Sequence, residues 1–331
     1  MQERELSEPV DLCLPDGRLN PDAVGWSRQP LHRCNLSGPW GRQKRWDYWC
    51  VTAPTHLLSL TIADFDYLGL ASALFLDLET GERVEKAATV PFARGFSQPD
   101  EVAGADITVQ AFGLSIEIRE EAETTRLRVR SKALEADVAV AKPPGHETLS
   151  VVVPWGERRF QYTSKHNTRP AEGSVTTAGK EYRFGGDSPA FGCLDYGRGV
   201  WPYRTVWNWA SASGVQGDRT IGLQFGGKWT DGTGSTENGL CIDGRLHKIS
   251  EDVAFEYDRR AFIDPWALRS ERVDLQFTPW RLQRMRVPAL VVSTNLHLCF
   301  GYFDGKVQAD DGTWVPIEHL LGWAEEMIAR W

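Results

Sequence analysis

Phe112–Ser131, FGLSIEIREEAETTRLRVRS, carries the clearest structural signal in the chain. Leu114, Ile116 and Ile118 share one face of an extended segment, and after a polar turn Leu127 and Val129 share the facing one. A period of two is what half-buried antiparallel strands require. The same signal recurs on both sides. ALFLDLETGERVEKAATV reads as a strand, a tight Glu79–Thr80–Gly81–Glu82 turn and a returning strand. In LCIDGRLHKI, Asp243–Gly244 sits between apolar flanks, a hairpin signal because both residues tolerate positive φ. Asp304–Gly305 and Asp311–Gly312 punctuate the last strands.

Helical periodicity is confined to the end, PIEHLLGWAEEMIARW. After Pro316, residues Ile317, Leu320, Leu321, Ala324 and Ile328 fall at helical spacing, with Glu325 and Glu326 expected to face out. The Gly-, Ser- and Pro-rich stretch from Arg169 to Pro189 is the expected boundary between two units, 1–180 and 181–331. The expected fold is mainly β, two antiparallel barrels in tandem with a short C-terminal helix.

The 331 residues are 41% hydrophobic and 25% charged, the balance of a globular protein with ample core material. A net charge of −8 argues against nucleic acid or an anionic membrane surface as the main partner. Arg42, Lys44 and Arg45 form a local basic cluster of the kind usually found in solvated loops. The opening MQERELSEPV lacks the basic start and apolar run of a secretory signal, and no stretch is apolar for long enough to form a membrane-spanning helix. Six scattered cysteines without a CxxC pair suggest reduced, buried thiols, so a cytoplasmic protein is expected.

The chemistry-bearing residues concentrate in 191–248. On a strand covering 205–212, Trp207 and Trp209 share a face, with Asn208 and Ala210 opposite. Trp201, Tyr203, Arg198, Arg204 and Asp195 stand nearby and could line a cavity with aromatic faces and a carboxylate. An Asp195–Arg204 ion pair would be the structural alternative. Glu237 and Asn238 sit at a strand mouth, where burial could tune a carboxylate for acid–base work; an exposed turn glutamate is the alternative. Lys165, His166 and Asn167 supply a cation and a proton shuttle, although a lone histidine is more often structural. Asp64 and Asp66 alternate with Phe65 and Tyr67, and His247 is expected at the surface beside Lys248. The seven histidines show no HxH or HExxH spacing, so no metal site is expected. GLQFGG has no following helix to cradle a phosphate, and no GxSxG elbow occurs.

Seven motifs, DGRLNPDAVGWSRQPLHRCNL, RWDYWCV, DFDYLG, SKHNTRPAEG, DYGRGVWPYRTVWNWASASG, TENGLCIDGRLHKI and FGYFDGKVQADDGTWVPIEHLLGWAEE, occur in the order seen in a bacterial family catalogued as domain of unknown function 2804. The resemblance runs from Leu12 to Trp331. That family is grouped with the calycins and resembles two-barrel lipocalin-like proteins, among them carotenoid 1,2-hydratases, tocopherol cyclase and fungal cyclases that form decalin rings. The resemblance implies a hydrophobic small-molecule ligand near the barrel interface; no catalytic residue of those proteins is carried over onto these motifs, and no cofactor is expected. A cofactor-independent hydratase, cyclase or isomerase is the leading expectation. Asp195, Glu237 and His166 are its candidate acid–base groups. Trp201, Tyr203, Arg204, Trp207, Trp209, Lys165 and Asn238 are its candidate substrate-binding groups. A non-catalytic carrier and a carbohydrate-binding or carbohydrate-modifying protein are the rivals, and a homodimer stays open.

Overall fold

The computed structural model describes residues 3–287 and 292–331. Strand makes up 63% of the chain and helix 1%, so the expected mainly β architecture holds. The first sheet runs, in spatial order, Arg83–Pro91, Leu68–Asp77, His56–Asp64, Gln43–Thr52, Phe191–Val200, Arg159–Thr177, Glu135–Ala141, Thr124–Ser131, Leu114–Glu120 and Ile107–Ala111. It curls until Arg83–Pro91 meets the hairpin at its other edge, giving a nearly closed barrel. The second sheet, a half-barrel, runs Arg245–Ile249, Asn238–Ile242, Arg219–Gly227, Arg204–Gln216, Trp314–Arg330, Ser293–Gln308, Val273–Val287, Trp266–Arg269 and Ala254–Glu256.

Strand patterning predicts the cores well. Leu114, Ile116, Ile118, Leu127 and Val129 all lie in the first core, and the two strands pair in antiparallel register. Asp243 and Gly244 both adopt positive φ and close the expected hairpin. The stretch from Arg169 to Pro189, however, is not a linker. It contains the end of one strand, a turn at Ala178–Gly179 and the strand Lys180–Phe184. The chain leaves the first sheet only after Phe191–Val200, which pairs with both Gln43–Thr52 and Arg159–Thr177.

No α-helix occurs among the described residues, and the expected C-terminal helix is instead the strand Trp314–Arg330. Val315 and Ile317 enter the second core from odd positions. His319 then takes a left-handed φ of 49°, the facing strand shifts register between Phe303 and Gly305, and Leu320 and Ala324 enter from even positions. This irregularity places Ile317 and Leu320 three apart on one face, which imitates a helical repeat. The other face is buried too, so Glu325 and Glu326 point inward rather than out.

The sheets are joined by side chains from Arg159–Thr177. A bulge between His166 and Arg169, with Thr168 at φ 54°, pushes Asn167 into the second sheet. Its Nδ2 donates to Leu223 O at 2.7 Å and to Ala212 O at 3.2 Å. Gly222 permits this approach, since a Cβ there would stand 2.5 Å from the Thr168 methyl. Asn167→Ala leaves two buried carbonyls short of a donor, and is expected to cost about 2–4 kcal/mol in urea unfolding.

Candidate active site between the two sheets

Alternation sorts the middle strands of the first sheet into two faces. Phe160, Tyr162, Leu194 and Tyr196 point into the barrel core, so Thr163, Lys165 and Asp195 point out, toward the second sheet. In the second sheet Ala210, Ala212 and Ala324 fill the half-barrel core, which leaves Trp207, Trp209 and Glu325 facing the first. Two cross-strand rows therefore oppose each other. One is Lys165, Asp195, Tyr48 and Thr61; the other is Trp209, Glu325 and Leu298.

Lys165 is the hub. Its Nζ lies 2.9 Å from Asp195 Oδ2, 3.1 Å from Glu237 Oε2 and 4.4 Å from the Trp209 ring centre. Burial alone would lower its pKa, but the Asp195 and Glu237 carboxylates outweigh that and hold the ammonium charged. Thr163 donates to the other oxygen of Asp195 at 3.1 Å. Trp229 Nε1 donates to Glu237 Oε1 at 2.8 Å, and burial next to Asp195 raises the Glu237 pKa despite the help of Lys165. Gly226 is required here, because a Cβ would sit 1.9 Å from Glu237 Oε1. Of the GLQFGG glycines, Gly226 thus serves close packing of a carboxylate.

Glu325 completes the set. Trp207 Nε1 donates to its Oε1 at 2.8 Å, and burial, reinforced by Asp195 and Glu237, pushes its pKa up to about 7. Three carboxylates thus face one ammonium, and the one without a cationic partner retains its proton near neutrality. Burial decreases along both rows, from Lys165 to half-buried Tyr48 and Thr61, and from Trp209 and Glu325 to half-buried Leu298.

The structure brings together five of the predicted site residues: Lys165, Asp195, Glu237, Trp207 and Trp209. Trp201 stands beside them in an aromatic block, its ring centre 5.7 Å from that of Trp229 and 5.8 Å from that of Trp207, and its Nε1 donates to Gln161. Others fall elsewhere. His166 lies on the opposite face of its strand and meets Ser164, and deep burial drives its pKa well below the usual range. Asp195 pairs with Lys165 rather than Arg204, which is exposed at its strand's start. Tyr203 lies under the Arg42 guanidinium, its backbone carbonyl bonded to Trp331 N. Asn238 accepts from Gly226 N and donates to Glu251 O, pinning the start of the strand that follows Glu237. Arg198 is buried against Asp47 inside the first barrel, and Asp66 caps the Gly41–Gln43 turn. Lys248 is buried in an ion pair with Glu3, while His247 lies half-buried near Asp310.

Glu325 and Tyr48 escape the sequence reading. The helical spacing around Glu325 hides its inward orientation, and Tyr48 gives no motif signal; only the cross-strand register to Asp195 reveals it.

A nearly closed barrel and a half-barrel sheet packed through a polar cluster define a lipocalin-like β-protein. The chain belongs to the family described as Domain of unknown function (DUF2804), whose profile matches residues 3–331. A search of curated proteins gives no match. Among solved structures the chain is similar to a provisional AttH from Nitrosomonas europaea, with TM-score 0.53 and 12% identity over 86% of this chain and 92% of that one. It is also similar to CghA, with TM-score 0.51 and 12% identity over 87% and 88% of the two chains. These likenesses establish the shared fold. No helix among the described residues is long and apolar enough to cross a membrane.

Proposed function

We propose that this protein is a cofactor-independent acid–base catalyst, a hydratase, cyclase or isomerase, acting on an alkene-bearing hydrophobic molecule held between the sheets. The observation that carries the reading is Glu325, a buried carboxyl poised to hold its proton near pH 7 beside a Lys165-bound carboxylate pair. Its O–H gives a proton to an alkene carbon and forms a C–H bond. The cation left on the adjoining carbon faces the Trp207 ring, whose π face stabilises it. The Trp209 ring is already engaged by Lys165, so it orients the lysine instead. Water then adds, or a neighbouring double bond closes a ring, or a proton leaves the next carbon. The released proton passes to the Asp195–Glu237 pair and returns to Glu325.

The test incubates purified protein with a panel of prenylated phenols and polyenes, and mass spectrometry follows gain of one water or isomeric products. Product from the native protein, lost at least ~100-fold in Glu325→Gln, is the expected result. A cavity of about 240 Å³ lined by Pro54, Phe191, Ser213, Tyr302 and Leu321 favours the carrier as second reading, since it lies apart from the carboxylates. Ligand retention in native mass spectrometry with no turnover, unchanged by Glu325→Gln, would select that alternative.

A further inference from the structure

Behind Lys165 lies a small cavity between the sheets, about 10 Å³, lined by Thr148, Leu149, Lys165, Asn167, Gln224 and Cys241, among others. That volume is close to the minimum that accepts one water molecule and is far too small for an organic ligand. The orientation of Gln224 makes the site polar. An indole N–H can only donate, and Trp209 Nε1 donates to Gln224 Oε1 at 3.0 Å. The amide oxygen is thereby committed, and Nε2 must point elsewhere. It is buried and has no hydrogen-bond partner within the protein. A buried amide donor left unpaired is costly, which gives a water oxygen here a defined role as its acceptor. Asn167 and Thr148 supply further polar neighbours, and Lys165 links the cavity wall to Asp195 and Glu237.

We propose that this cavity is a specific site for one ordered water, held by donation from Gln224 Nε2, and that this water is the reactant of a hydration step. The role rests on the proposed alkene chemistry; the site itself does not. In that step Glu325 places its proton on one alkene carbon, the water oxygen forms a C–O bond to the other, and one water O–H breaks. The freed proton goes to the Glu237 carboxylate and returns to Glu325, so atoms and charge balance over the cycle. A stored water also selects hydration over cyclisation or isomerisation, neither of which consumes one.

The experiment is a crystal structure of the native full chain at a resolution that places waters, with Gln224→Met and Glu325→Gln solved alongside. The expected result is one water peak within hydrogen-bond distance of Gln224 Nε2 in the native and Glu325→Gln proteins, absent in Gln224→Met. A native cavity without density overturns the site, whatever the activity panel yields. A peak that persists in Gln224→Met overturns the assigned donor. Gln224→Met crystals that diffract show folding, and the panel then tests the role: products one water heavier should fall at least tenfold. Native-level hydration by that variant, with its cavity dry, overturns the role while leaving the acid function of Glu325 intact. Failure of the whole panel with the water present removes the proposed catalysis and leaves the site.

Discussion

Glu325→Gln is expected to be more stable than the native protein at pH 8 while losing product formation. The folded-state pKa of about 7 lies above the ordinary 4.5, so the folded protein binds this proton more tightly than the unfolded chain does. The stability contributed by that proton is complete below about pH 4.5 and is lost as pH rises through about 7. At pH 8 a buried, ionised Glu325 faces Asp195 and Glu237, and its neutral amide replacement still accepts from Trp207. The variant should gain about 3 kcal/mol at pH 8 and little at pH 4.5. Urea unfolding at the two pH values measures the difference. A variant less stable at pH 8, with intact packing, would contradict the buried-acid assignment. Such a gain on removing a polar group is the usual mark of a site kept for chemistry rather than for folding.

Lys165→Met is expected to have the opposite sign. The methionine roughly preserves volume and contact with Trp209, but it removes the cation that balances Asp195 and Glu237. Breaking a buried ion pair from one side leaves charge uncompensated, and the expected loss is about 3–5 kcal/mol at pH 8. Acidification to about pH 5 should recover much of it, because the orphaned carboxylates can then take up protons. Losses equal at both pH values would mean that packing, not charge, explains the effect. Together the two variants separate the cluster into one acid and one counterion.

Period-two segments such as Leu114–Glu120 and turn pairs such as Asp243–Gly244 are local signals, and they specify strands and hairpins directly. The sheet junction is not local. Lys165 and Glu237 meet because Asn167 enters the other sheet at a bulge, and no local periodicity encodes that approach. The same kind of irregularity misled at the C-terminus, where His319 switches the parity of a strand buried on both faces. Residue chemistry did select Asp195 among the paired tryptophans, because charges within so aromatic a segment need partners, and it picked Glu237 at a strand mouth and Lys165 beside His166. It could not supply the pairing of Asp195 with Lys165, which depends on cross-strand register.

The position of Phe191–Val200 between Gln43–Thr52 and Arg159–Thr177 bears on how the chain is made. A central strand of the first barrel is the last of that barrel to leave the ribosome. Until it arrives, the flanking strands each present an unpaired edge, one of them bearing Tyr48 and the other Lys165. Exposed edges of this kind invite pairing with other chains. Fragments ending before residue 200 should therefore accumulate as aggregates, and nascent chains stalled there should draw chaperones, until the missing strand slots in.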